Sequence, residues 1–195
     1  TGGYAVALAA SMRHIYGGKP GEAMFTTSDI GWVVGHSYII YGPLINGMAT
    51  IMYEGTPLRP DAGIWWQLVE KYKVSVMFSA PTAARVLKKQ DPAFLSKYDL
   101  STLRSVFLAG EPLDEPTATW LHQAINKPIV DNYWQTETGW PMLALQRGTE
   151  LKGFFNFSRQ KVDQLGDDGL AITLKPYGFV WLQTCVGTPA RTLID

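Results

Sequence analysis

The sequence predicts an α/β protein with a doubly wound, mainly parallel sheet and flanking helices. Short apolar runs rich in β-branched residues alternate along the chain with longer segments whose apolar residues follow helical spacing. The connections are short, and parallel neighbours need crossover helices. A hydrophobic content of 46%, with 17 basic and 17 acidic side chains, fits one soluble globular core.

The alternation runs from the first residues to about residue 130. Strong helix formers predict a helix over residues 4–15. Residues 37–46 have no alternation and predict a buried helix. Apolar spacing predicts a helix over residues 63–72, with Asp61 as its cap. The other predicted elements are helices over 80–89 and 114–125, strands over 22–28, 48–53, 74–78, 103–109 and 128–130, and a polar linker over 91–101.

Four loops follow the predicted strands and are expected to meet at one edge of the sheet. Parallel strands end on the same side, which is where open α/β sheets place their ligand crevice. Taken singly, each loop fits an ordinary turn, and His36 alone is more often a hydrogen-bonded core histidine than a catalytic base. Together they predict a binding site formed by residues 29–36, 79–82, 110–112 and 131–139.

The last of these loops is the most polar. Residues 131–139 (DNYWQTETG) combine two carboxylates, two threonine hydroxyls, two amides and two aromatic rings. A surface turn has no need of this density of polar and stacking groups. We therefore expect this segment to contact a ligand.

Composition excludes several other classes. The balanced charge leaves no basic nucleic-acid footprint, and the single cysteine, Cys185, allows neither an internal disulfide framework nor a cysteine metal site. No run of about 18 apolar residues is present, so we predict no membrane segment. Because the chain starts at Thr1 rather than Met, we expect a piece of a longer protein.

Five motifs in order carry a resemblance to a known family. They are residues 31–38 (GWVVGHSY), 53–55 (YEG), 79–83 (SAPTA), 109–112 (AGEP) and 133–139 (YWQTETG). Together they resemble the short-chain acyl-CoA synthetases of the AMP-forming, adenylating superfamily, over residues 1 to about 145. The amino-acid sequence around Asn132, Trp140 and Pro141 is more similar to that of the propionate ligases than to that of the acetate enzymes.

The resemblance implies a two-step ligase. A small carboxylate and ATP would give an acyl-adenylate and pyrophosphate, and the thiol of CoA would then attack the adenylate. ATP, Mg²⁺ and CoA are the implied cofactor and co-substrates, and the implied location is the cytoplasm, or the mitochondrial matrix in a eukaryote. Such catalysis depends on positioning and charge stabilisation, with no covalent enzyme intermediate.

The resemblance also assigns site residues. Gly110, Glu111 and Pro112 would contact the adenine side of ATP. Glu137 would hold Mg²⁺, which prefers one or two carboxylates together with phosphate oxygens. The adenine and the α-phosphate would be lined by Asp131, Asn132, Tyr133, Trp134, Gln135 and Thr136, with Thr136 donating to a phosphate oxygen. The acyl pocket would be formed by Val33, Val34, Ala109 and Trp134.

Two of these positions bear on the substrate. Val34 stands where acetate enzymes usually carry Thr, and Ala109 stands where they usually carry Val. The smaller Ala109 would leave room for an extra methylene, whose burial contributes roughly 0.8 kcal/mol. The resemblance therefore implies propionate in preference to acetate.

The pattern ends near residue 150. Residues 1–148 are expected to be part of the AMP-binding domain. Residues 149–195 are expected to form a divergent tail, with a loop over 151–169 and a β-hairpin over 170–185. The family's phosphate-cradling loop and its lysine-bearing C-terminal domain would lie beyond this chain, so we expect no or negligible ligase activity from these 195 residues alone.

Three alternatives stay open at this point. The chain could belong to an acetyl-CoA synthetase-type ligase, or it could be a non-catalytic module that binds a nucleotide or an acyl-adenylate. A dinucleotide-binding domain ranks last because no Gly-x-Gly-x-x-Gly motif follows the first predicted strand. The sequence leaves the oligomeric state open.

Overall fold

A computed structural model of the chain describes residues 1–144. The predicted tail and its β-hairpin lie outside the described residues. The helices are α1 Gly2–His14, α2 Val33–Gly35, α3 Gly42–Ile45, α4 Ile64–Lys71, α5 Pro81–Lys88, α6 Ala93–Ser96 and α7 Glu115–Ile125, with a π-helical segment His36–Tyr41 between α2 and α3. The strands are β1 Ala23–Thr26, β2 Ala49–Ile51, β3 Val74–Ser79, β4 Ser105–Leu108, β5 Ile129–Tyr133 and β6 Leu143–Ala144.

Six strands form one sheet in the order β2-β1-β3-β4-β5-β6. The pairs from β2 through β5 are all parallel, whereas β6 lies antiparallel to β5. The prediction of an α/β fold with a mainly parallel sheet and flanking helices is confirmed. No helix within residues 1–144 is long and apolar enough to cross a membrane.

Helices cover both faces of this sheet because neighbouring strand residues point to opposite sides. On one face, α4, α5 and α7 pack on strand residues such as Phe25, Met77 and Leu108, and we call this cluster the first core layer. Trp65 and Trp66 of α4 are both buried in it. The second core layer, on the other face, consists of Leu8, Met12, Tyr16, Met24, Tyr38, Met48, Val76, Phe78, Phe107, Ala109 and Val130.

Several predicted boundaries differ from the structure. The buried helix predicted over residues 37–46 begins earlier, since Val33–Gly35 is already helical and leads into the π-helical segment. The predicted linker over residues 91–101 contains α6. The prediction that Asp61 caps α4 is wrong: the carboxylate accepts the N–H of Gly63 at 2.7 Å, and Gly63 itself precedes the helix.

An ion pair ties together the amino ends of three strands. Arg104, just before β4, donates to both carboxylate oxygens of Glu22, with Nη2 and Oε2 2.6 Å apart, and to the carbonyl of Gly17 at 2.8 Å. Ser75 of β3 also donates to Glu22, at 3.3 Å. Desolvation opposes ionisation, but the hydrogen bonds from Arg104 and Lys19 outweigh it and lower the pKa of Glu22. These contacts fix the edge opposite the loops.

Candidate functional site

The loops after the parallel strands lie on one edge of the sheet and hydrogen-bond to one another. Thr27, after β1, donates to the hydroxyl of Ser79 at the end of β3, at 2.8 Å. Ser37 donates to the carbonyl of Gly139 at 2.7 Å, across a sequence separation of 102 residues. Two of the segments that were predicted to share an edge, 79–82 and 131–139, are therefore in contact with residues that flank the segment 29–36.

An open cleft of about 450 Å³ lies at this edge, between the start of α1 and the polar segment after β5. Tyr4 belongs to its α1 side, and its hydroxyl is 2.6 Å from that of Ser37. The polar side is formed by Thr136, Glu137 and Trp140. Thr136 and Glu137 are exposed, so their polar groups are accessible to a molecule in the cleft.

Hydrogen bonds within residues 133–140 hold this segment in shape. The hydroxyl of Thr138 accepts the N–H of Gln135 at 3.2 Å and lies 2.9 Å from its carbonyl. The amide of Gln135 donates to the hydroxyl of Tyr133 at 2.7 Å. The side chains of Gln135 and Thr138 thus shape the turn, while Thr136 and Glu137 occupy its tip.

β5 reaches further into the polar motif than the sequence predicted. Asp131, Asn132 and Tyr133 belong to the strand and not to the loop after it. Antiparallel pairing with β6 places Asn132 opposite Ala144 and Tyr133 opposite Leu143. This pairing lengthens β5, because β6 supplies partners for backbone groups beyond the end of β4.

Three of the four predicted acyl-pocket residues belong to the second core layer or pack against it. Ala109 is buried within the layer, and the partly buried Val34 and Trp134 pack against it. The fourth, Val33, lines the open cleft together with Thr136 and Glu137. Val34, Ala109 and Trp134 are therefore attached to one core layer, and Val33 lies among the residues of the cleft.

Asp131 and Asn132 occupy opposite faces of β5. Asn132 is 5% exposed, and neither polar atom of its amide has a hydrogen-bond partner among residues 1–144. Burial raises the pKa of Asp131 from 3.8 to about 6, against the opposing effect of the backbone N–H groups of Leu113 and Asn132. A buried amide without a partner is uncommon in proteins and marks a place where a ligand or water could bind.

Sequence reasoning missed the side chain that holds residues 110–112. Arg85 of α5 donates to Glu111 and to Asp114, both at 2.7 Å, and to the carbonyl of Pro112 at 2.8 Å. Glu111 also accepts the N–H of Thr82 at 2.9 Å and its hydroxyl. The only signal in the sequence is the negative charge of Glu111 and Asp114, which does not identify the basic residue that pairs with them.

This network changes the ionisation of both carboxylates. Hydrogen bonds from Thr82 and Arg85 lower the pKa of Glu111, despite partial desolvation. Hydrogen bonds from Thr117 and Arg85 lower the pKa of Asp114 to about 2. Asp114 also caps α7 by accepting the N–H of Thr117 at 2.9 Å. Both groups are charged at neutral pH, as a stable ion pair requires.

Among residues 1–144, no group of three or more histidine, cysteine, aspartate or glutamate side chains could hold a metal ion by itself. Glu137 lines the cleft as an exposed carboxylate next to Thr136. A single carboxylate fits the way Mg²⁺ is held beside a nucleotide, because phosphate oxygens and water complete its shell.

Comparisons with known proteins agree with this architecture. The sequence profile of the AMP-binding enzymes matches residues 1–159. The propionate–CoA ligases of Escherichia coli and Salmonella typhimurium are 64% and 62% identical to the chain over 149 residues, which is 76% of this chain and 24% of each ligase. The acetyl-coenzyme A synthetase of Rhodobacter capsulatus is 48% identical over 146 residues, 73% of this chain and 22% of that enzyme.

The chain belongs to the AMP-binding enzyme family. The profile match covers most of its length and includes every strand of the described sheet. The chain spans about a quarter of the length of the curated relatives it matches.

Proposed function

We propose that this chain forms the acyl- and nucleotide-binding part of an ATP-dependent ligase that makes propionyl-CoA. The observation that carries the proposal is that Val34, Ala109 and Trp134 share the second core layer, while Thr136 and Glu137, which follow Trp134 closely in the chain, line the open cleft. Such a site can receive a short acyl chain on its apolar side and a phosphate on its polar side. Membership of the AMP-binding family and the identity to propionate–CoA ligases support it.

The proposed reaction has two steps. A carboxylate oxygen of propionate attacks the α-phosphorus of ATP, the bond to pyrophosphate breaks, and propionyl-AMP forms. The sulfur of CoA then attacks the acyl carbon, AMP leaves, and the thiol proton is released. The protein contributes by positioning both partners and by stabilising charge on phosphorus and carbon.

The residues of the polar turn have distinct proposed roles. The exposed hydroxyl of Thr136 donates to an oxygen of the α-phosphate, and Gly110, Glu111 and Pro112 contact the adenine side. Asp131, Asn132, Tyr133, Trp134 and Gln135 complete the nucleotide site. In support, Asn132 has a buried amide with both polar atoms unpaired among residues 1–144. A polar ligand atom would remove the cost of that burial, which is typically about 1 to 3 kcal/mol.

Glu137 is the proposed ligand of Mg²⁺. When bound with ATP, the ion neutralises phosphate charge and so favours attack by a carboxylate that is itself negative. The accessibility of the Glu137 carboxylate in the cleft supports this assignment.

We also propose that the part of the AMP-binding domain in this chain ends near residue 148.

Ala109 is the proposed determinant of acyl length. Its side chain is buried in the second core layer, against which Trp134 packs. Valine here would place about two extra methyl-sized groups in the space proposed for the terminal methyl of propionate. Differences of one methylene change enzyme selectivity by roughly 1 to 3 kcal/mol.

Two rivals have specific support. The 48% identity to an acetyl-coenzyme A synthetase favours acetate as a second candidate substrate. A non-catalytic module that binds an acyl-adenylate would present the same surfaces. The described residues include groups that bind a ligand, and the proposed reaction needs no covalent nucleophile, so the same residues fit both functions. The following experiments separate these possibilities.

The binding test uses the chain itself and a stable acyl-adenylate analogue, propionyl-sulfamoyl-adenosine. Binding should change tryptophan fluorescence, and Trp134→Phe should remove most of the change. The control is Trp66→Phe, which alters a tryptophan buried in the first core layer. Absence of binding at millimolar analogue would contradict the proposal.

The activity test places the 149 matching residues into the Escherichia coli propionate–CoA ligase in exchange for its own. The chimaera should form propionyl-CoA with a higher kcat/KM than acetyl-CoA. A higher value with acetate would favour the acetate enzyme. A folded chimaera that binds the analogue without turnover would favour the non-catalytic module.

A further inference from the structure

Three acceptors in and just after residues 110–112 converge on one guanidinium of α5. Arg85 uses Nε for Asp114, Nη1 for Glu111 and Nη2 for the carbonyl of Pro112, at 2.7, 2.7 and 2.8 Å. A planar fork can satisfy three acceptors at fixed angles, which a lysine ammonium cannot reproduce. One side chain therefore fixes the loop at both its second and third residues.

The orientation of Glu111 follows from these contacts. Both carboxylate oxygens are directed to α5: Oε1 accepts the N–H and hydroxyl of Thr82, and Oε2 accepts Arg85. Hydrogen bonding to the charged form lowers the pKa of Glu111, so the carboxylate stays ionised and remains bound to α5. The side chain is thereby occupied within the protein, and the backbone of residues 110–112 is what the loop presents to a ligand.

Helix α5, which carries Arg85, is packed against the first core layer. Ala84 and Leu87 of α5 are buried in the first core layer, and Lys88 donates to the carbonyl of Pro116 at 2.8 Å. Arg85 is thus held on a packed helix, while no atom lies within 4 Å of where a Cβ of Gly110 would stand, so the loop has no side-chain packing at that residue. The contacts that fix the loop from α5 are those of Arg85 and Thr82 with Glu111 and Pro112.

We propose that Arg85 is a positioning residue for nucleotide binding, and that Glu111 acts only as its partner and not through a carboxylate contact with the nucleotide. This inference rests on the proposed function, because it presumes that residues 110–112 contact the adenine side. Arg85 affects nucleotide binding only by fixing the position of residues 110–112. Removing it would leave Glu111 and Asp114, two negative charges, without the cation between them, and the loop would shift.

The test measures AMP affinity of the full chain by calorimetry, well below the melting temperature. Arg85→Met should raise the Kd for AMP about tenfold, the size of an ordinary coupling between contacting residues. Lys88→Met removes a positive charge from the same helix without touching residues 110–112 and should leave the Kd within about twofold. Arg85→Lys should restore only part of the affinity, since it keeps the charge and loses the fork.

The dependence of Glu111 on Arg85 is tested with the single variant Glu111→Gln and with the double variant Arg85→Met, Glu111→Gln. If Glu111 acts only through Arg85, both single variants weaken AMP binding and the double variant is no weaker than Arg85→Met. Additive losses would show an independent nucleotide contact by Glu111 and overturn the inference. Unchanged affinity in Arg85→Met would overturn it too, even if the melting temperature fell. Failure of the unsubstituted chain to bind AMP would contradict the proposed function, and this inference with it.

Discussion

Trp134 meets Tyr38 edge to face, with ring centroids 5.5 Å apart and ring planes at 75°. Tyr38 is fully buried, and its hydroxyl is 2.9 Å from that of Ser11 on α1. Burial also raises the pKa of Tyr38, so it stays neutral at physiological pH. The proposed acyl wall at Trp134 is therefore supported by Tyr38, which is itself hydrogen-bonded to Ser11 of α1.

Ala109→Val should shift acyl preference from propionate towards acetate. The added methyl groups would fill space beside Trp134, so the ratio of kcat/KM for propionate over acetate in the chimaera should fall by about tenfold, within the range typical of one methylene. Ala118→Val, on α7 against the first core layer, is the matched control and should leave the ratio unchanged. An unchanged ratio in Ala109→Val would rule out this position as the determinant.

Gly139→Ala should loosen the polar turn from α1. Gly139 has a φ of 70°, and an added Cβ would lie 2.7 Å from the ring of Tyr4. Gly21→Ala is the control, because its φ is 83° with open space around it. Both variants carry the left-handed backbone cost of about 1 to 2 kcal/mol, and Gly139→Ala should lose roughly 1 to 3 kcal/mol more through overpacking. Denaturant unfolding measures both, and equal losses would contradict the predicted contact with Tyr4.

Ionisation of Asp131 should lower the free energy of unfolding of the chain as pH rises. Its pKa is raised to about 6 from 3.8, so the folded state binds the proton more tightly. The stabilisation is complete below pH 4 and is lost as pH passes through about 6, with an upper limit of about 3 kcal/mol before solvent screening. Asp131→Asn should therefore gain stability relative to the unsubstituted chain between pH 4 and pH 7. Glu54→Gln, at an exposed carboxylate, should show no such gain.

Arg104→Met should destabilise the fold by about 2 kcal/mol, since it removes charged hydrogen bonds at the amino ends of the strands. Side-chain exposure of this pair is only 29% and 24%. The control pair, Lys73 and Asp99, is 62% and 51% exposed at 3.7 Å, so Lys73→Met should cost less than about 0.5 kcal/mol. The Arg104 effect should diminish in acid as Glu22 takes up a proton below its lowered pKa. Similar losses in both variants would disprove the distinction.

The fold could be predicted from the sequence because strand and helix periods differ. Short, mainly apolar runs with β-branched residues, such as residues 74–78, favour buried strands, and the short connections then require crossover helices. Boundaries were less predictable. β5 extends through Asp131 and Tyr133 because β6 pairs with it, and a two-residue strand carries no periodicity of its own.

The residues of the site could be predicted where they directly follow the end of a strand. Ala109 and Trp134 are attached to the same core layer because they follow the neighbouring strands β4 and β5. The partner of Glu111 was not predictable, because Arg85 precedes it by 26 residues and the contact depends on how α5 is rotated about its axis. Val33 was grouped with Val34, but adjacent helical residues point about 100° apart, so the two face different surroundings.

The antiparallel strand β6 makes the polar segment a hairpin connection, whereas the parallel strands before it continue into crossovers. A hairpin closes on itself, and doubling the length of a flexible loop adds only about 0.6 kcal/mol of closure cost. Residues 134–139 are tied to α1 and to the π-helical segment through Tyr4 and Ser37, so this freedom is confined to the return stretch after Gly139. A short insertion there would change the mouth of the cleft, with the sheet and its packing left intact.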